Sequence, residues 1–391
     1  MTDGVTRTRW VFHVPGYDPA SPPHVKNRFT REIKRFEQTW STQASVHDGA
    51  DDERWRVTTS GPNWNVETQY RLVDWSDVIQ ANGRKPMWQR IPQGLLAFLD
   101  FAISALPRYA RANWRYAGFF LYPFVAVALM ATLAFYAGRY AAHASGYTLL
   151  GIAVALVVFA LLWRWPGRRI FLHLLFDDWI FSRSYVRHGN PAIDAKLDRA
   201  ARELVDVARN NDIDEIVVVG HSLGAVLAID LLERALKLDP TLGQKGPRIA
   251  LISVGSSILK VGLHSAAKRF RDSATRVASS GGIFWGDYQA ISDIMNFYKR
   301  DPLSVMGLPT HDVPLVRMVR IRHMLDPKIY KRIKYRPPRM HLQFVSGNNI
   351  RNAYDYFMLV CGPLSAERQV RGDGALAAIG ADGTLLEKAS A

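Results

Sequence analysis

The sequence predicts an α/β fold whose mostly parallel sheet is interrupted by an apolar helical hairpin. Three observations carry that expectation. Short β-branched runs alternate with segments of helical periodicity along most of the 391 residues. Residues 118–138 and 146–163 contain no Asp, Glu, Lys or Arg, and each approaches the roughly 20 residues needed to cross a bilayer's hydrocarbon. Ile216-Val217-Val218-Val219 runs into Gly220-His221-Ser222-Leu223-Gly224, and helical spacing follows at Leu223, Val226, Leu227 and Leu231.

In chain order, residues 9–14 read as a short strand ending in Pro15-Gly16-Tyr17. Pro22 and Pro23 close that loop, and residues 24–40 read as a helix with Val25, Phe29, Ile33 and Phe36 on one face. Residues 54–59 and 66–75 read as strands on either side of Gly61-Pro62-Asn63. Beyond the apolar runs, Asn190-Pro191 starts an amphipathic helix over 192–209, and Asn210-Asn211-Asp212 stops it. The 216–219 strand and its helix come next. Residues 248–254 read as a strand, 261–277 as a helix, 283–294 as a further segment opened by Gly281-Gly282, and 313–324 as strand-like. Residues 341–345 form a short apolar run, and 350–360 read as a helix. The Gly/Ala-rich stretch from Arg371 onward suits a mobile tail. The N-terminal strands are too few to fold alone. Residues 1–117 and 164–370 are therefore expected to form one domain, with 118–163 as an insertion and 371–391 as the tail.

The insertion reads as a transmembrane hairpin. Arg108, Arg111 and Arg115 precede it and Arg164, Arg168 and Arg169 follow it, whereas the connector at 139–145 holds only Arg139 and His143. The positive-inside bias then puts both flanks and both termini in the cytoplasm and the tip outside, as in a bacterial inner membrane. Trp114, Tyr116, Tyr122, Tyr136, Tyr140, Tyr147, Trp163 and Trp165 sit near the ends, where interfacial aromatics belong. The competing reading is a buried hairpin or a hydrophobic lid. Segments 91–106 and 170–181, each interrupted by Asp, suit either the headgroup layer or an ordinary core. No secretory signal is expected, because Arg7, Arg9 and His13 interrupt any early apolar run.

Fifty Lys and Arg stand against 35 Asp and Glu, a formal charge of +15 that suits an anionic partner. Residues 328–339 concentrate this charge in Lys331, Arg332, Lys334, Arg336 and Arg339, interleaved with Tyr330 and Tyr335. Nucleic acid, anionic lipid headgroups and a plain solvated face are the three readings, and a tethered chain favours headgroups. Cys361, the one cysteine, permits no intrachain disulfide and is expected to be a buried, inert thiol. Zinc-ligand spacing, a phosphate-cradling glycine loop and a Rossmann glycine set are all missing from the sequence, so no cofactor is expected.

Ser222 is the candidate nucleophile. A serine that attacks a carbonyl must stand clear of the backbone at the tip of a sharp strand-to-helix turn. Gly220 and Gly224 would let strand and helix approach, and the N–H of Leu223 at the helix start could meet a developing oxyanion. His221, its neighbour on the turn, would point away and is read as structural.

With these residues the chain resembles the α/β-hydrolase superfamily, particularly its lipase- and esterase-like members, over most of its length outside 118–163. The resemblance is most specific around Ser222. It implies a triad in the order Ser, acid, His, and an oxyanion loop after an earlier strand. Phe12-His13-Val14-Pro15-Gly16-Tyr17 occupies the loop's place, although Pro15-Gly16 stands where the family has paired glycines. Gly16 or Tyr17 would supply the second oxyanion donor beside Leu223. For the acid, the segment from Trp285 to Asp293 offers Asp293 first, with Asp301 and Asp287 as alternates. For the base, His341 matches the family's late position, against His323 and His311. The implied activity is hydrolysis of carboxylic esters, lipid or other apolar acyl esters given the membrane reading. A thioesterase or peptidase on the same fold is an alternative, as is an inactive membrane scaffold.

Overall fold

A computed structural model describes residues 5–210, 212–310, 312–372 and 374–386. The chain forms two compact units, one of Met1–Val78 with Asn190–Ala391 and the other of Ile79–Gly189.

The first unit is built on eight strands: β1 (Thr8–Val14), β2 (Gln43–Asp48), β3 (Arg54–Gly61), β4 (Trp64–Leu72), β5 (Glu215–His221), β6 (Arg248–Val254), β7 (Ile283–Ala290) and β8 (Leu315–Val319). They form one sheet in the order β2-β3-β4-β1-β5-β6-β7-β8. From β4 to β8 every pairing is parallel, and only β3 runs the other way, pairing antiparallel with β2 and β4 at one edge. This is an α/β fold with a mostly parallel sheet.

The burial pattern explains which strands the sequence announces. Every residue of β5 is buried, as its uninterrupted β-branched run requires of a strand covered on both faces. Val217 and Val219 join a core with Phe29, Ile33 and Phe36 of the helix Pro22–Trp40, while alternation turns Ile216 and Val218 to the other face. There the helix Gly224–Leu238 packs against Pro191–Ala208 and Lys268–Ala278. Strand β3 alternates, with Trp55 and Val57 inward, and the Trp55 ring stacks on Tyr70 at 4.5 Å. β2 escaped the sequence reading because it is an edge strand that buries only Ala44.

Several elements end differently from expectation, each for a local reason. The helix expected over 261–277 is broken into Ile258–Gly262 and Lys268–Ala278. Arg271 makes the break tolerable by donating to the carbonyls of Gly262 and His264 at 2.9 and 2.8 Å. The helix expected over 350–360 is confined to Tyr356–Cys361, because Asp355 caps it by accepting from the N–H groups of Phe357 and Met358. The strand-like 313–324 stretch keeps only β8 and then tightens into a 3₁₀ turn at Ile321–His323. The segment read as a mobile tail is packed over its described residues. Ile379 bridges Leu385, and Gly383 accepts from the Trp64 indole at 2.8 Å. Cys361 is fully buried, and burial pushes its thiol up to about 12.

The second unit is helical. Its two apolar runs become the helices Trp114–Ser145 and Thr148–Arg164. Residues 139–145, expected as a connector, belong to the first helix, and Gly146 ends it at φ +76°. The turn is thus Gly146-Tyr147 alone. The helices touch through small residues: a Cβ on Gly138 would lie 2.5 Å from the Gly151 carbonyl, and one on Gly151 would lie 2.6 Å from the Ala142 Cβ. Gly138 with Ala142 and Gly151 with Ala155 repeat a small residue every fourth position, the spacing that lets apolar helices approach in lipid. Both helices are long and apolar enough to cross a membrane, and only 33% and 11% of their apolar windows are buried. Most of segments 91–106 and 170–181 falls in the helices Met87–Ser104 and Leu172–Arg187, which pack on each other. Of the Asp residues that interrupt them, Asp177 pairs with Arg90 and Asp100 with Arg183 and Arg187.

At the middle of the sheet, Arg9 on β1 meets Glu215 on β5 at 2.7 Å, with both side chains at most 1% exposed. Arg9 also donates to the carbonyls of Gly362 and Leu364, and Glu215 accepts from the N–H of Ala366. Every lobe of the pair is therefore answered, the condition under which a buried ion pair is tolerated. Arg9→Ala leaves a buried carboxylate without its cation. Chemical denaturation should show a loss of about 3–5 kcal/mol, and a change below about 1 kcal/mol would contradict this account.

Candidate active site

Ser222 stands where β5 passes into the helix Gly224–Leu238. Its φ is +55°, in the left-handed region that a residue other than glycine enters only when its surroundings enforce it. The surroundings do so here. The Ser222 N–H donates to the Val254 carbonyl at 3.1 Å, and its carbonyl accepts from Ala225 and Ser257 at 3.1 and 3.0 Å. A Cβ on Gly220 would lie 2.4 Å from the Ala225 Cα, and one on Gly224 would lie 2.1 Å from the Val14 carbonyl. Both glycines are therefore demanded by close approach, as their spacing suggested. Ser222 itself is only partly buried.

The same crossing brings the β1 loop to the serine. A Cβ on Gly16 would fall 2.9 Å from the Ser222 Cβ. The Trp75 indole donates to the Pro15 carbonyl at 2.9 Å, and the Tyr17 ring sits edge-on to Trp75. Gly16 and Tyr17 thus lie beside Ser222, at the adjacent C-terminal ends of β1 and β5. Strand order reverses between these two strands, the place where open α/β sheets form a crevice.

The candidate acid and base meet each other in the structure. His341 lies on the short helix Pro337–Leu342, and Asp293 follows β7 by three residues. The His341 Nδ1–H donates to Asp293 Oδ2 at 2.8 Å. The other oxygen, Oδ1, accepts from the Met295 N–H at 2.9 Å, and the Asp293 side chain is wholly buried. Among the described residues, His341 Nε2 is buried with no hydrogen-bond partner. The ring lies 4.6 Å from that of His221, whose Nε2–H donates to the His341 carbonyl at 3.2 Å. Burial, with His341 nearby, holds the His221 imidazole well below its usual range. Gly255, at φ +53°, leaves room for the imidazole, since a Cβ there would lie 3.1 Å from His341 Cε1. The Ser222 hydroxyl is 3.5 Å from that of Ser257 and makes no hydrogen bond to His341 among the described residues.

The alternates are elsewhere. Asp301 caps the turn Pro302–Val305 by accepting from the Ser304 N–H at 2.9 Å. His323 is exposed at the end of its 3₁₀ turn. His311 lies outside the described residues. Asp287 is fully buried on β7, where it accepts from Ser253 and Gln289, and burial pushes its carboxyl up to about 6. Sequence reasoning missed Ser257, Gly255 and a polar chain beside the β1 loop. In that chain Tyr70 bridges His13 Nδ1 at 2.7 Å and the Tyr356 hydroxyl at 2.5 Å. Burial, helped by Arg28, lowers the His13 imidazole to about 3. His13 was visible in its motif, but its partners are distant in sequence and carry no local signal.

No family model, curated protein or solved structure matches this chain.

The buried carboxyl of Asp287 has a measurable pH signature. In the unfolded chain it ionises near its ordinary value of 3.8, whereas in the fold it stays protonated up to about 6. Its contribution to stability therefore falls as pH rises through that window. Asp287→Asn, neutral throughout, should gain on the wild type by about 2–3 kcal/mol between about pH 4 and about pH 7. Denaturation midpoints at the two pH values check this, and a difference that does not move with pH contradicts it.

Proposed function

We propose that this chain is a membrane-anchored serine hydrolase of α/β-hydrolase-like architecture that cleaves carboxylic esters. One observation carries the reading. A serine held at positive φ on a strand–helix turn shares the sheet's C-terminal crevice with a buried Asp–His pair whose outer nitrogen is unpartnered. That combination is costly for a merely structural site, because a strained backbone and an orphaned buried nitrogen each destabilise the fold.

In this mechanism Ser222 Oγ attacks the acyl carbonyl carbon while His341 Nε2 takes the hydroxyl proton. Asp293 keeps the Nδ1 tautomer and stabilises the imidazolium. The N–H of Leu223 and that of Gly16 or Tyr17 bind the oxyanion, and Pro15 has no N–H to offer. Collapse of the tetrahedral intermediate expels the alcohol, which receives the proton from His341. Water, deprotonated by the same nitrogen, then releases the acid and restores the serine. Before substrate binds, the Ser222–His341 bond need not be closed, because such bonds commonly tighten only in the substrate complex.

The apolar hairpin supports a lipid or other apolar acyl ester as substrate. Its helices present Leu129, Leu133, Leu149, Ile152 and Leu156 at 53–81% exposure, a surface suited to hydrocarbon. The helix Met87–Ser104 adds Leu95, Leu96, Leu99 and Ile103 on one exposed face, as a helix lying in the headgroup layer would. A second reading, an inactive scaffold, draws support from the Ser222–Ser257 contact, with no hydrogen bond from the hydroxyl to the imidazole among the described residues.

A fluorophosphonate probe separates the two readings. The wild type should label and Ser222→Ala should not; a folded wild type that fails to label favours the scaffold. Asp293→Asn should lower kcat on a short-chain ester by about 10³–10⁴-fold, while Asp301→Ala and His323→Ala stay within about threefold of wild type. Retained activity in Asp293→Asn would contradict the assignment of the acid. For topology, His143→Cys should react with an impermeant thiol reagent from outside the cell, with buried Cys361 silent. Reaction from the cytoplasmic side would reverse the orientation.

A further inference from the structure

The basic run resolves into two short helices, Pro327–Ile333 and Pro337–Leu342. Their inner side is anchored, since Ile333 and Met340 belong to the core of the first unit. Their outer side carries Lys328, Lys331, Arg332, Lys334, Arg336 and Arg339, all exposed. No acidic residue occurs between 327 and 342. Among the described residues, none of the six side chains takes part in an ion pair. By contrast, Arg234 on the helix Gly224–Leu238 reaches Asp194, Asp198 and Asp230. The one aromatic at the junction of the two helices, Tyr335, is 82% exposed, with Lys334 Nζ 4.4 Å from its ring.

Six cations that make no ion pair among the described residues, on a segment that also exposes Tyr335 and is anchored from beneath, suit an anionic surface with an interfacial layer. An anionic bilayer supplies both, because phosphate headgroups attract Lys and Arg and the headgroup layer accepts an amphipathic ring. The chain also holds two helices long and apolar enough to cross a membrane, which would keep such a surface within reach of the first unit. We propose that residues 327–342 form a docking surface for anionic lipid headgroups, with Tyr335 entering the headgroup layer. This rests on the membrane part of the reading above and not on the hydrolytic chemistry. It gives the base a lipid-facing support, because Arg339 and His341 share one six-residue helix.

The test uses the full chain in nanodiscs of phosphatidylcholine alone or with about one third phosphatidylglycerol. A polarity-sensitive fluorophore is attached at Tyr335→Cys, Cys361 being buried. Emission should shift to the blue only in the anionic discs and return on raising salt to about 0.5 M. Each cation near an anionic surface contributes roughly fivefold to docking, so Lys331→Gln, Arg332→Gln and Lys334→Gln together should lower the docked-to-free ratio about a hundredfold. The salt titration makes the result independent of that triple variant's folding. Equal emission in the two discs, or emission insensitive to salt, overturns the proposal. So does a larger blue shift from a single-stranded oligonucleotide or polyglutamate than from anionic lipid. Failure of the chain to assemble into discs overturns the membrane reading and this proposal together, whereas assembly without a response to lipid charge overturns docking alone. Fluorophosphonate labelling of the same samples reports the chemistry separately.

Discussion

The site depends on one steric constraint, the crossing of two strand ends and one helix start with no room for a side chain between them. Gly16, Gly220 and Gly224 occupy the three contact points, and a Cβ at any of them would lie within 3 Å of a neighbouring atom. The crossing forces Ser222 into the left-handed region and fixes the β1 loop beside it. It also falls where the sheet's strand order reverses, the place at which open α/β sheets form a crevice. The Arg9–Glu215 pair reinforces the arrangement from the other end of the same two strands.

Polar groups in the first unit are organised around the same strand ends. His341 and Asp293, His13 with Tyr70 and Tyr356, and Asp287 with Ser253 and Gln289 form three buried clusters. In one of them burial holds the His13 imidazole in its neutral form, which spares the interior an isolated charge, and in another it pushes the Asp287 carboxyl up to about 6. The second unit solves a different problem. Its long helices keep their charges at the ends and meet through glycine and alanine, while its shorter helices pair Asp with Arg.

What could be read from the sequence follows from how local each signal is. β5 and its turn were legible because a β-branched run, two glycines and a helical stripe are all contiguous. The apolar hairpin was legible from the absence of charge, although its turn was misplaced by several residues because Arg139 and His143 tolerate an exposed helical position. β2 was illegible, since an edge strand needs few apolar residues. The break at Gly262 was also illegible, because an arginine nine residues away stabilises it. In the site, Asp293 and His341 were named from the resemblance to α/β-hydrolases and its chain order, and the structure brings them within 2.8 Å. Ser257, Gly255 and the His13 chain were not named, because each is defined by a neighbour far along the chain.

The strand order has a consequence for biosynthesis. β1 through β4 can assemble as soon as Leu72 leaves the ribosome, but β1 then keeps one edge open until β5 arrives about 140 residues later. At ordinary elongation rates that interval is roughly 7–30 s, and it includes emergence of both apolar helices. A nascent half-sheet with a bare central edge is prone to pair with the wrong strand.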